Sequence, residues 1–232
     1  MPTDNFKETT FNPDILKARM IEIKIQQIQS AIARADRFES KLTPAALNVP
    51  MLGSLKIRHL LNNLGAISKN YLECGVHKGG SFCSTIFNNP LTSATAIDCF
   101  VSDETNEDDK AQPQFIANAS KHVHSETMFT LITNDTFKVP TSDIPLPVDF
   151  YYFDAGHSED EQRMALTYYL PTMADVFIYC CDDYMLPEVR KGTQDGIMEC
   201  RLKVLFEQEM ITHHEYDNES WWRGFYVALL GK

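Results

Sequence analysis

The segment Tyr71-Leu72-Glu73-Cys74-Gly75-Val76-His77-Lys78-Gly79-Gly80-Ser81 reads as a short apolar strand, a tight glycine turn and the start of a helix. Gly75 can turn the chain without a Cβ clash, and Gly79-Gly80 let a ligand approach the backbone. The helix start that follows offers unpaired N–H groups and a positive dipole end, which suit a carboxylate or phosphate. Asp98 closes the next apolar run, 94–97, where an acid can accept both hydroxyls of a ribose. The spacing is E-x-G-x-x-x-G, whereas nicotinamide and flavin sites favour G-x-G-x-x-G. A glycine turn that serves only helix–sheet packing is the alternative.

A second group of acids lies further along. Asp154 follows the apolar run 148–153, and the run 176–181 leads straight into Asp182-Asp183-Tyr184. In an open parallel sheet ligands bind at the carboxyl ends of the strands, so these acids converge on one crevice. Three carboxylates within a few Å raise each other's pKa unless a cation neutralises them. A hard divalent ion, Mg²⁺ before others, is the natural partner. The plainer reading is that Asp182 or Asp183 caps a helix and Asp154 is a turn acid. In Phe153-Asp154-Ala155-Gly156-His157-Ser158, His157 is either a base suited to neutral pH or the orienter of a neighbouring loop.

These residues need a frame that brings strand ends together. Short apolar runs at 71–74, 94–97, 128–132, 148–153 and 176–181 alternate with helix-like segments near 80–87, 112–122 and 159–169. That alternation implies βαβ units and a mostly parallel sheet, and continuously apolar runs imply strands covered on both faces. After Asp183 come a helix near 187–200 and strand candidates at 202–206 and 225–230. Upstream, Asn12-Pro13 sets up a helix start, with Ile21, Ile25, Ile28 and Ile32 on one face of a helix predicted to run to about Leu42. A second helix, 55–64, is predicted to close on Gly65 as a left-handed cap.

Glu73-x-Gly75-x-x-x-Gly79 with Asp98 resembles motifs I and II of the class I S-adenosylmethionine (SAM)-dependent methyltransferases. The resemblance implies that Glu73, Gly75, Gly79 and Ser81 belong to the turn holding the methionine part of the cofactor and that Asp98 holds the ribose. Asn134-Asp135 resembles the contact near the adenine amino group, although Asp135 reads equally well as a turn residue. The pattern F-D-x-x-H-S, then a strand and D-D-Y, is similar to the macrocin O-methyltransferase type, as is Pro187–Thr193 after it. That likeness implies Asp154, Asp182 and Asp183 as Mg²⁺ ligands against an acceptor hydroxyl. Members of the group commonly read D-G-D-H-S, and here Gly156 stands where the second acid is expected. His157, with Asp154, is then the candidate catalytic pair, or metal-lowered hydroxyl acidity lets water take the proton.

The implied protein is a Rossmann-like α/β methyltransferase domain over 66–232, with a helical extension at 1–65 that forms a lid, an oligomer contact or plain packing. Its expected reaction is O-methylation of a sugar or phenolic hydroxyl on a small molecule. The competing readings are a non-catalytic cofactor-binding scaffold of the same fold and a nucleotide-dependent oxidoreductase. Trp221, Trp222 and Tyr226 offer either a stacking wall for a ring or packing for the terminal strand. The 232 residues carry 21 Lys and Arg against 32 Asp and Glu, a net charge of −11, which argues against a nucleic-acid surface. No run is long and apolar enough to span a bilayer, the first ten residues lack a signal-like apolar core, and the six cysteines lack zinc spacing. A cytoplasmic protein is expected, with the acidic stretch 103–109 as a solvated loop or a lid.

Overall fold

The computed structural model describes residues 12–101, 110–214 and 216–232, so the acidic stretch 103–109 and the first eleven residues lie outside the described residues. The elements in chain order begin with helices α1 (Pro13–Ala35), α2 (Pro44–Leu47) and α3 (Leu55–Gly65). They continue as β1 (Asn70–Cys74), α4 (Gly80–Ile86), β2 (Ser93–Asp98), α5 (Ala111–His122), β3 (Met128–Thr133) and β4 (Val148–Phe153). The chain then forms α6 (Glu159–Tyr169), β5 (Met173–Asp182), α7 (Pro187–Glu199), β6 (Lys203–Met210) and β7 (Phe225–Gly231).

One seven-stranded sheet in the order β3-β2-β1-β4-β5-β7-β6 organises the molecule. The first five strands pair parallel, and β7 runs antiparallel to both β5 and β6. Alternate residues of the central strands feed two cores. Tyr71, Phe150, Tyr152, Ile178 and Cys180 meet α1, α3, α4 and α5 on one face. Leu72, Cys74, Tyr151, Phe153, Tyr179 and Cys181 meet α6 and α7 on the other. This double cover is why the strand runs are continuously apolar.

Register positions the site. Cys74 lies opposite Ile97 and Phe153, and Phe153 lies opposite Cys181. The next residue on each strand or loop is therefore Gly75, Asp98, Asp154 or Asp182, side by side along one edge. Chain order reverses between β1 and β4, the switch point at which such sheets open a crevice.

Two helix boundaries differ from expectation. The first helix stops at Ala35 instead of near Leu42. Asn63 of α3 donates to the carbonyls of Ala31 and Glu39, and Phe38 turns the chain in a left-handed conformation. Gly65 is not a left-handed cap; it lies within α3, and the cap residue Ala66 keeps right-handed helical angles. A Cβ at Gly65 would strike the Thr85 carbonyl of α4, so this glycine serves a close helix approach. The isoleucine stripe packs inward, with Ile28 fully buried and Ile21, Ile25 and Ile32 lying against the same core.

Candidate functional site

The loop after β1 is shaped by glycine at two points. Gly75 sits at φ +86°, and a Cβ there would strike the Asp154 carbonyl, so the ends of β1 and β4 touch only because the side chain is missing. Gly79 sits at φ +91° against the Phe115 ring. The space above Gly80 is filled by Pro50 and Met51. The glycine there admits the protein's own N-terminal segment to the backbone, beside the cavity that Gly80 also lines.

Each sequence-predicted cofactor residue has a definite place. Glu73 is completely buried and accepts hydrogen bonds from Tyr71 and Ser81. Burial pushes its carboxyl up to about 8. Asp98 ties the loop to β2: Oδ2 accepts from the N–H groups of Val76 and His77, both at 2.8 Å, and Oδ1 accepts from Phe100 N–H at 2.7 Å. Asn134 accepts from the Asp135 N–H, and Asp135 caps a short 3₁₀ turn through the Phe137 N–H. The Lys138 ammonium at 2.9 Å holds the Asp135 carboxyl below its usual range.

A single cavity of about 610 Å³ runs along the strand ends and carries Gly75, Ser81, Asp98, Asp135, Asp154, His157, Asp182 and Asp183 in its wall. Glu73 and Gly79 are buried and Asn134 is exposed, and none of the three lines the cavity. His77, Asp183, Tyr216 and Trp222, all cavity residues, hold left-handed backbone, a conformation that costs energy in non-glycine residues and concentrates at functional sites.

The acidic end of the cavity is an interlocked set. His157 Nε2 lies 3.2 Å from Asp183 Oδ2 and 3.8 Å from Asp154 Oδ1. The carboxylates of Asp154 and Asp183 raise the imidazole above its ordinary value, against its partial burial. Asp183 Oδ2 also meets Arg223 Nη1 at 3.2 Å, while Asp183 Oδ1 and Arg223 Nε are buried and make no hydrogen bond within the described chain. Asp154 Oδ2 accepts from the Tyr152 hydroxyl at 3.0 Å, and burial raises its carboxyl. Asp182 Oδ1 accepts from the Asp183 N–H at 2.9 Å, and burial, with the charges of Asp154 and Asp183, pushes its carboxyl well up.

The expected magnesium centre finds no support in this donor set. Asp183 is engaged by an arginine and a histidine, and Asp182 and Asp154 each give an oxygen to a protein donor. Among the described residues no group of three or more His, Cys, Asp or Glu side chains is arranged to hold a metal ion.

Three contributors have no counterpart among the sequence motifs. Arg223, forty residues beyond Asp183, belongs to none. Glu161 sits in a capping box with Ser158 and also lines the cavity. Its carboxylate occupies the space a side chain at Gly156 would need, so a carboxylate is present there after all, carried by α6. The S-x-x-E spacing is the signal that could have found it. Arg58, 5% exposed, donates to the carbonyls of Ala46, Leu47 and Val49 and to Ser84, fixing the segment that leads into Pro50 and Met51. Burial lowers its guanidinium to about 10. Of the three C-terminal aromatics, only Trp222 lines the cavity. Trp221 joins the core, and Tyr226 stacks on Tyr184 at 4.5 Å.

Comparisons with known proteins agree with this architecture. A family model described as a methyltransferase domain matches residues 72–184. No curated protein matches the sequence. Among solved structures the fold is similar to cofactor-bound Rv0187 from MTB, at 13% identity and TM-score 0.55, covering 95% of this chain and 98% of that one. It is similar to an O-methyltransferase from Bacillus cereus in complex with SAH, at 13% identity and TM-score 0.55, covering 88% and 90%. TomG, an O-methyltransferase from Streptomyces achromogenes solved with SAM, is similar at 14% identity and TM-score 0.52, covering 89% and 90%. The chain has the fold of the class I SAM-dependent methyltransferases, and its glycine loop and Asp98 fall inside the matched methyltransferase segment.

Proposed function

We propose that this protein is a SAM-dependent methyltransferase that methylates a hydroxyl oxygen of a small molecule, a sugar or a phenol, in the cytoplasm. The observation that carries the reading is the continuity of one cavity from the glycine loop and Asp98 to His157 and Asp183. Its volume of about 610 Å³ lies within the range of roughly 300–1,000 Å³ of small-ligand sites. The loop at 75–77 and Asp98 would hold the cofactor, and the same cavity continues to the base at the β4 terminus.

When bound, SAM supplies an electrophilic methyl group on a sulfonium. The chain aligns the acceptor for in-line attack and removes its proton. His157 Nε2 faces two carboxylate oxygens, so it carries the ring proton and the neutral imidazole keeps its lone pair on Nδ1. Nδ1 takes the acceptor proton, and Asp154 and Asp183 stabilise the imidazolium that results. Asp98 keeps lone-pair capacity on Oδ1 for one ribose hydroxyl after its backbone bonds are counted.

Calorimetric titration with SAM, SAH and NADH tests the cofactor, and a panel of sugar and phenolic acceptors with radiolabelled SAM tests the transfer. Binding of SAM and SAH with label in a hydroxyl acceptor is expected. Binding of NADH without SAM would overturn the reading.

A further inference from the structure

Three carboxylates at neighbouring strand ends raise one another's pKa where no positive charge lies beside them. One protein cation and one imidazole N–H already reach the outermost one: Arg223 Nη1 and His157 Nε2 each lie 3.2 Å from Asp183 Oδ2. Arg223 is held there by the backbone. The Met185 N–H donates to the Arg223 carbonyl at 3.0 Å, and the Tyr184 N–H donates to the Gly224 carbonyl at 3.2 Å. Gly224, at φ +90°, has Met185 packed where a Cβ would be, which locks the 221–224 turn onto the 183–185 turn. The guanidinium carbon lies 5.5 Å from the centre of the Tyr216 ring, so the side chain is gripped on a second side.

We infer that Arg223 is the built-in cation of this site: its guanidinium neutralises Asp183 and orients it toward His157, so that the carboxylate cluster does not recruit a divalent metal. This charge is carried by the chain itself and needs no ion from solution. Arg223 acts through Asp183 and is a positioning residue. The site is the proposed methyl-transfer centre, so the inference rests on that proposal for its meaning, although the charge arrangement exists without it.

The test is a Mn²⁺ titration of the protein, free of SAM, followed by calorimetry and by the Mn²⁺ electron-spin signal. Wild type and Arg223→Lys are expected to show no stoichiometric binding. Arg223→Met is expected to bind one Mn²⁺ per chain at least roughly tenfold more tightly, a factor of ten being about 1.4 kcal/mol. Adding Asp183→Asn to Arg223→Met is expected to abolish that gain. One Mn²⁺ bound by wild type and lost in Asp183→Asn would overturn the inference, as would a folded Arg223→Met protein without the gain. If Arg223→Met does not fold, the wild-type and Arg223→Lys titrations still decide. Methyl transfer is not needed for any of these readouts, so failure of the transferase proposal shows separately, as absent SAM binding.

Discussion

At the scale of single residues the site is governed by what faces His157. Asp154 and Asp183 lie on the side of Nε2 and raise the imidazole from 6.5, while burial and the Arg223 charge oppose them. A base must be neutral to accept a proton, so the transfer rate is expected to fall as pH drops through a pKa above 6.5. Stability runs the other way. The folded state holds the proton more tightly than the unfolded state, so the His157 contribution is complete below 6.5 and is lost as pH rises through the folded value. Asp154→Asn is expected to move the acidic limb of the rate profile down toward 6.5 while leaving the Arg223–Asp183 pair intact. His157→Gln is expected to remove the limb and cost about 10²–10⁴ in rate. A pH–rate profile of the three proteins checks both, and an unmoved limb in Asp154→Asn would exclude His157 as the base.

At the scale of elements, Arg58 on α3 carries the arrangement that closes one side of the cavity. It donates to three carbonyls at the end of α2 and just beyond it, where a cation suits both the unpaired carbonyls and the negative end of the dipole. The segment fixed in this way delivers Met51 onto Gly80 and Leu52 into the cavity wall. Arg58→Met is expected to cost about 3 kcal/mol, since it strands buried carbonyls, and to open the 43–53 segment to protease before the rest of the chain. Equal protease resistance in wild type and variant would show that the segment is held by other contacts. Neither Arg58 nor Arg223 was legible in the sequence. Their partners lie across long loops or on other elements, and an arginine has no periodicity that announces burial. The strands were legible because both their faces are covered, which turns each into an unbroken apolar run; β1, β2, β4 and β5 fall at or within a few residues of the expected bounds. The strand-end acids were legible for the same reason, since each directly follows such a run. Their cation was not, because Asp183 and Arg223 meet through the pairing of β5 with β7.

At the scale of the whole molecule, α1 and α3 contribute side chains to the apolar core of the sheet. Ile28, Ala31 and Ala35 of α1 share one apolar cluster with Leu60 and Leu64 of α3 and with Phe150, Ile178 and Leu229 of the sheet. Ile15, Met20 and Ile23 of α1 are exposed to solvent, so full burial is confined to one side of the helix. A helix joined to the sheet through fully buried side chains has to unfold with it. Ile28→Ala removes a side chain with no exposed surface, and such a truncation costs about 2–5 kcal/mol through lost transfer energy and a residual cavity. At roughly 2–4 °C per kcal/mol for a chain of this size, the midpoint is expected to drop by about 10 °C. Ile23→Ala, at a position 46% exposed, is expected to stay within about 0.5 kcal/mol. Calorimetry of the three proteins should show one transition in each, displaced only in Ile28→Ala. A second, earlier transition in that variant would mean that the N-terminal helices unfold on their own, and the wall they supply at Met51 and Leu52 would then be separable from the sheet that carries His157 and Asp183.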